Sequence, residues 1–287
     1  MRIGYACINS SIGCTSNRTF RLASYSSSKI REIVAENLSC LEKILKFNKE
    51  NNLLFFRIGS GLVPFASHSV CRFNWSKEFK EDFKRIGDFI KNNSMRVSMH
   101  PDQFVLINAL SNDIYKNSLA ELNYHNKVLD LMGLGLENKI QIHIGGAYGD
   151  KEKSIKRFVD RYKKIPSLLK KRLVIENDDK IYNLKDCLAV NKEVGVPVVF
   201  DTLHHEINNN GEDLIGGLKM ALDAWKDSLP IIDYSLQARG KRVGSHANSI
   251  NINKFSKFIN SVRGLDFDIM LELKDKEKSA LRAVKYI

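Results

Sequence analysis

The chain has 287 residues, 43% hydrophobic and 27% charged, and its 45 Lys and Arg against 33 Asp and Glu leave a net charge of +12. That balance supports a sizeable core and excludes a disordered chain, while the positive surplus favours polyanions such as nucleic acid or an anionic membrane surface. No apolar run approaches the roughly 20 residues of a membrane-spanning helix, residues 1–8 lack the form of a signal peptide, and a soluble, cytoplasmic monomer is expected.

Short apolar or β-branched runs alternate with longer stretches of helical period. In chain order, strand 2–8 precedes helix 30–48, strand 53–58 precedes helix 76–92, and strand 95–99 precedes helix 113–133. Strand 139–144 with helix 153–170, strand 172–176 with helix 183–194, and strand 196–200 with helix 212–226 continue the alternation. Strand 229–234 with helix 253–262, then strand 267–272 with a last helix near 275–286, complete it. Helix 30–48 shows the pattern best, with Ile30, Ile33, Val34, Leu38, Leu41, Ile44 and Leu45 at three- and four-residue steps. Eight such pairs predict an α/β protein, a (β/α)8 TIM-type barrel in which residues 1–287 form one domain. An open doubly wound sheet is the alternative, but no G-x-G-x-x-G or G-x-x-x-x-G-K-[ST] follows any strand. Five cysteines (Cys7, Cys14, Cys40, Cys71 and Cys187) form an odd set without a C-x-x-C pair, which argues against disulfides and against a cysteine-built zinc site.

The polar residues fall at the strand ends. His100 ends the third strand, His143 the fourth and Glu176 the fifth. Asp201 follows the sixth, Asp233 sits near the end of the seventh, and Glu272 ends the eighth. In a parallel barrel these ends open on one face, where barrel enzymes keep their active sites. Asp201-Thr-Leu-His204 places a carboxylate and an imidazole across a strand-to-loop exit, and His246 lies in the loop after the seventh strand. Imidazole nitrogens with carboxylate oxygens suit Mn, Zn or Fe, and phosphodiester hydrolysis needs such a cluster. One histidine at a strand end is more often structural than a ligand; several converging on one face are a site. His125, inside a helix, reads as structural. The basic run Arg239-Gly-Lys241-Arg242 is either a phosphate contact or a solvated loop.

Along nearly its whole length the sequence resembles the UV-damage endonucleases (UVDE or UvsE). The likeness is carried by GYACIN at 4–9, RIGSGLVPFASH at 57–68, SMHPDQF at 98–104, QIHIGG at 141–146, VIEND at 174–178, FDTLHHEIN at 200–208, GSHANSI at 244–250 and IMLELKDKE at 269–277. The resemblance implies a barrel related to endonuclease IV and xylose isomerase. It also implies a DNA-repair enzyme that nicks damaged duplex DNA just 5′ of UV photoproducts, leaving a 3′-hydroxyl and a 5′-phosphate, with manganese preferred and up to three ions. Carried over to this chain, it makes His100, His143, Glu176, Asp201, His204, His246 and Glu272 metal ligands, with Glu176 bridging, and the catalytic set Glu176, His100, His143, Asp201 and Glu272. Gln103 and Phe104 would probe the duplex, and Tyr5 and Asn9 would lie near the lesion pocket. One departure stands out. The family's Lys-x-His at the end of the seventh strand is Ile231-Ile-Asp233 here. Asp233 can bind a metal through oxygen, whereas Ile231 cannot replace the lysine. The competing expectation is a metal-dependent sugar isomerase or epimerase on the same fold.

Overall fold

The computed structural model describes residues 1–226 and 228–287. Eight parallel strands close into a barrel in chain order: β1 (Ile3–Ala6), β2 (Phe55–Ile58), β3 (Arg96–Met99), β4 (Ile140–His143), β5 (Leu173–Glu176), β6 (Val198–Asp201), β7 (Ile231–Tyr234) and β8 (Asp268–Leu271), with β8 pairing back onto β1. Around them lie α1 (Ser27–Glu50), α2 (Trp75–Glu78), α3 (Lys80–Asn92), α4 (Asn112–Leu131), α5 (Lys151–Lys163), α6 (Ser167–Arg172), α7 (Leu184–Val194), α8 (Thr202–Ile207), α9 (Leu214–Leu222), α10 (Ile252–Ser261) and α11 (Glu277–Ala283). Among the described residues, no helix is long and apolar enough to cross a membrane.

Every predicted strand overlaps an observed one, because each is a compact β-branched or aromatic run bounded by polar residues. The predicted helices differ in three places. The stretch 76–92 breaks at Phe79, and 153–170 divides before Pro166, whose ring has no N–H to continue a helix. Residues 202–207, expected as an open loop, form α8, because the Asp201 carboxylate caps them by accepting the His204 N–H at 2.7 Å.

Strand side chains alternate at period two, and the barrel interior shows it as two layers. Phe55, Val174, Val199, Ile231 and Met270 pack together with Ala6 as a buried apolar layer. Two residues further along the same strands stand Arg57, Glu176, Asp201, Asp233 and, just past β8, Glu272. The apolar layer is thus a floor beneath a charged one. The opposite faces of the strands, with Phe56, Val97, Ile175, Phe200, Ile232 and Leu271, join the helices in the main core. There α1 buries the stripe from Ile30 to Leu45 that its sequence predicts. β1 runs close to β2 at Gly4, where a Cβ would lie 2.5 Å from the Phe55 carbonyl oxygen.

The expectation of unpaired cysteines is corrected. Cys14 and Cys40 form a disulfide, with Cα atoms 5.9 Å apart, that ties the loop after β1 to α1, while Cys7, Cys71 and Cys187 are free. The partners lie 26 residues apart and meet only through the fold, so no local spacing announces them.

Candidate active site

The barrel mouth gathers the predicted residues around Glu176. This carboxylate is buried at the end of β5, with Oε2 3.2 Å from His100 Nε2 and 3.5 Å from His143 Nε2, and Oε1 3.1 Å from His204 Nδ1. Three sets of donor atoms lie within 4.8 Å of one another: His100, His143 and Glu176; Glu176, Asp201 and His204; and Asp201, Asp233 and Glu272. Glu176 belongs to the first two sets, the position a bridging ligand needs.

The histidines are held as metal ligands usually are. A ligand imidazole commonly donates its second ring N–H to a carbonyl, which fixes the tautomer and leaves the other nitrogen's lone pair free. Three histidines have this contact through Nδ1: His100 to the Pro101 carbonyl at 3.0 Å, His204 to that of Asn177 at 2.9 Å, and His246 to that of Glu272 at 2.7 Å. The protons are assigned from these bonds. Asn177 also staples β5 to β6, its side chain accepting the Asp201 N–H at 2.9 Å and donating to the Asp201 carbonyl at 3.1 Å. Among the buried atoms without a hydrogen-bond partner are His143 Nδ1, Asp201 Oδ2 and Arg57 Nε. Such orphans carry a desolvation cost that a bound cation or water relieves. The donor set therefore fits divalent ions.

Burial and neighbouring charges shift the titration of these groups in opposite directions. Burial pushes Glu176 up, but His143, His100 and His204 outweigh it and hold the carboxyl well below its usual range. Burial pushes His143 down, toward the neutral form a ligand requires. Asp201 is pushed up to about 7, chiefly by burial. His204 is desolvated too, yet the carboxylates of Asp201 and Glu176 raise it to about 11.

Sequence reasoning missed Arg57 and Gln141, which lie inside strands rather than at their ends. Arg57 Nη2 donates to Asp233 Oδ1 at 2.8 Å, Asp233 Oδ2 at 2.9 Å and Gln141 Oε1 at 2.9 Å, while Nη1 contacts Glu272. Gln141 Nε2 donates to Glu176 Oε2 and Asp233 Oδ2, both at 2.6 Å. Period-two alternation from Phe55 and from His143 is the signal that places both side chains inside the barrel. Ile231, where the resemblance leads one to expect lysine, lies in the apolar floor.

The placement expected for Tyr5 and Asn9 is corrected. Both are buried, with the Tyr5 hydroxyl donating to Asn48 Oδ1 at 2.7 Å and accepting from Asn9 Nδ2 at 2.8 Å. They brace β1 against α1, and Asn9 also borders the hollow beside Cys14 and Cys40. His125 is structural, as its helical position implies: it is buried, bonded to the Glu121 carbonyl at 2.8 Å and to Ser60 Oγ at 3.2 Å.

Gln103 and Phe104 follow His100 on the segment after β3, and Phe104 is 75% exposed. A cavity of about 820 Å3 on one side of this segment is lined by His100, Gln103, Phe104, His246, Glu272 and Arg57. A second, of about 520 Å3, is lined by His100, Gln103, His143, Tyr148, Asp179 and His204. Lys274 and Lys276, also missed in the sequence, line the first. A further hollow of about 890 Å3 beside Cys14 and Cys40 shares no residue with the ligand cluster. The basic run is part of an ordered hairpin: Gln237 bridges His246 antiparallel, and Ala238 N–H donates to the Ser245 carbonyl at 2.7 Å. Arg239, Lys241 and Arg242 are exposed on it, and the same hairpin carries His246.

Comparison with known proteins gives a consistent answer. A family model described as UV-endonuclease UvdE matches residues 1–287. A "UV DNA damage endonuclease" of Clostridium perfringens is 40% identical over 288 residues, covering 99% of this chain and 70% of the relative. The crystal structure of SacUVDE superposes with a TM-score of 0.96 at 47% identity, covering 99% of this chain and 97% of the other. Endonuclease IV from Thermus thermophilus, at 16% identity and a TM-score of 0.59 over 85% of this chain and 91% of its own, shares the fold.

Proposed function

Because the chain belongs to the UV-endonuclease UvdE family, we propose that it is a DNA-repair endonuclease that hydrolyses the phosphodiester bond just 5′ of a UV photoproduct with the help of bound divalent ions, manganese foremost. The observation that carries the metal-dependent part is the position of Glu176, buried and within 3.5 Å of His100, His143 and His204 nitrogens.

In this reading His100 and His143 hold one ion together with Glu176, and Asp201 and His204 share Glu176 with a second. Glu272 and His246 flank the centre from the cavity side. Ions so bound lower the pKa of an attacking water and neutralise the phosphate and the leaving oxygen. The chain's own contribution is orientation. Asn177 and the Pro101 and Glu272 carbonyls fix the imidazoles, and Gln141 fixes Glu176. Substrate binding falls to the rim. Phe104 can wedge between bases and Gln103 can test their edges, at low cost where damage has already loosened the stack. Arg239, Lys241 and Arg242 neutralise backbone phosphates. A single barrel, residues 1–287, carries the whole ligand set, so a monomer acting on damaged duplex DNA suffices.

A sugar isomerase or epimerase would share the ligands but has no use for an exposed Phe104 or for the +12 charge. The test is nicking of supercoiled plasmid, irradiated or not, with Mn2+ or with EDTA. Nicking of irradiated plasmid in Mn2+ alone is expected; irradiated plasmid left intact in Mn2+ rules the proposal out.

A further inference from the structure

Of the three donor sets, the third is unlike the others. It has no histidine nitrogen, and two of its three carboxylates, Asp233 and Glu272, already face a cation that belongs to the chain. Both oxygens of Asp233 accept from Arg57 Nη2, and Oδ2 also accepts from Gln141. Glu272 Oε1 is taken by Arg57 Nη1, which leaves only Oε2, 3.6 Å from His246 Nδ1, turned toward the histidines. Asp201, which the third set shares with the second, makes no such contact and keeps Oδ2 without a hydrogen-bond partner, as His143 in the first set keeps Nδ1.

We propose that the metal centre holds two divalent ions, and that the Arg57 guanidinium permanently occupies the place of a third cation between Asp233 and Glu272. This rests on the metal-dependent function proposed above and concerns the ion count of the same centre.

The reason is packing and charge together. Arg57 rises from β2 one step above the apolar floor of Phe55, Val174, Val199, Ile231 and Met270, and is itself buried. A divalent ion bound to Asp233 would sit about 2 Å from its oxygen, within direct repulsion of a guanidinium 2.8 Å from the same atom. The guanidinium cannot retreat downward into a hydrocarbon layer without losing its partners, which buried charges require. The substitution in β7 completes the logic. Ile231 adds to the floor and offers no ligand, so Asp233 faces Arg57 as an ion-pair partner. Arg57 also lines the cavity of about 820 Å3, beside His100, His246 and Glu272.

The experiment counts ions. Metal-stripped full-length protein is saturated with Mn2+, passed through a desalting column, and analysed for manganese per chain by mass spectrometry. Two ions are expected; three overturn the inference while leaving the endonuclease reading intact, and none overturns both. Arg57→Met is expected to admit a third ion, and a count that stays at two in a folded variant overturns the role given to Arg57. Should Arg57→Met fail to fold, Asp233→Asn decides. The count stays at two with unchanged Mn2+ affinity if Asp233 serves Arg57, whereas loss of an ion shows that Asp233 is a ligand and overturns the inference.

Discussion

Glu176 touches His100, His143 and His204 through its two oxygens, so Glu176→Ala removes a ligand common to two ion sites but no group on the DNA-facing rim. Nicking is expected to fall by about 1,000-fold or more, since metal stabilisation of a phosphoryl transition state is worth several kcal/mol. Affinity for irradiated duplex should change by less than about threefold, because phosphate contacts set it. A gel-shift titration beside the nicking assay separates the two; a parallel loss of binding contradicts the assignment. Protons supply a second test. In the metal-free protein Asp201 keeps its proton up to about pH 7 and His204 up to about 11, both above their ordinary values of 3.8 and 6.5. A divalent ion must displace those protons, so Mn2+ binding near pH 6.5 releases them and tightens as pH rises through 7. Calorimetry in buffers of different ionisation enthalpy measures the release; an affinity independent of pH contradicts it. At this scale the sequence was legible where a residue ends a strand, as for His100, Glu176 and Glu272. Arg57 and Gln141 were hidden in strand interiors, and Tyr5 and Asn9 were placed by resemblance alone, although packing turns Tyr5 onto Asn48 and Asn9 onto Tyr5.

Elements place these residues more than their own propensities do. The hairpin 236–247 has two tasks: its base fixes His246 against the Glu272 carbonyl at 2.7 Å, and its tip exposes Arg239, Lys241 and Arg242. Replacing the three basic residues by alanine should therefore weaken DNA binding uniformly, damaged or not, and leave the metal centre untouched. For every phosphate that is no longer neutralised, the slope of log K against log salt becomes shallower by about 0.9. Fluorescence anisotropy across a salt series reads that slope, and an unaltered slope would assign these residues to solvent. The eight strands could be read from the sequence because each is short, apolar and bounded. The turn of α8 could not, because its capping depends on the Asp201 side chain, which also reads as a ligand. The Cys14–Cys40 bridge joins a loop to a helix across 26 residues, a proximity that only the closed barrel creates.

For the molecule as a whole, the closed barrel turns eight separate strand ends into one mouth. That mouth holds buried carboxylates in a chain whose net charge is +12. Under the proposed function this would be a division of labour by sign: the net positive field would draw in a polyanion, and the inner carboxylates would hold the cations that act on it. The basic charge and the barrel were both readable from composition and alternation. The choice of damaged DNA over other polyanions was not; under the proposed function it would depend on how Gln103, Phe104 and the two cavities beside them meet a distorted duplex. The decisive measurement uses a duplex end-labelled on the damaged strand and carrying one UV photoproduct, incubated with the Mn2+-loaded protein and resolved at nucleotide resolution. A single cut immediately 5′ of the lesion, ending in a 3′-hydroxyl and absent from the undamaged duplex, is the predicted result. Cuts that ignore the lesion, or no cut at all in Mn2+, would contradict it.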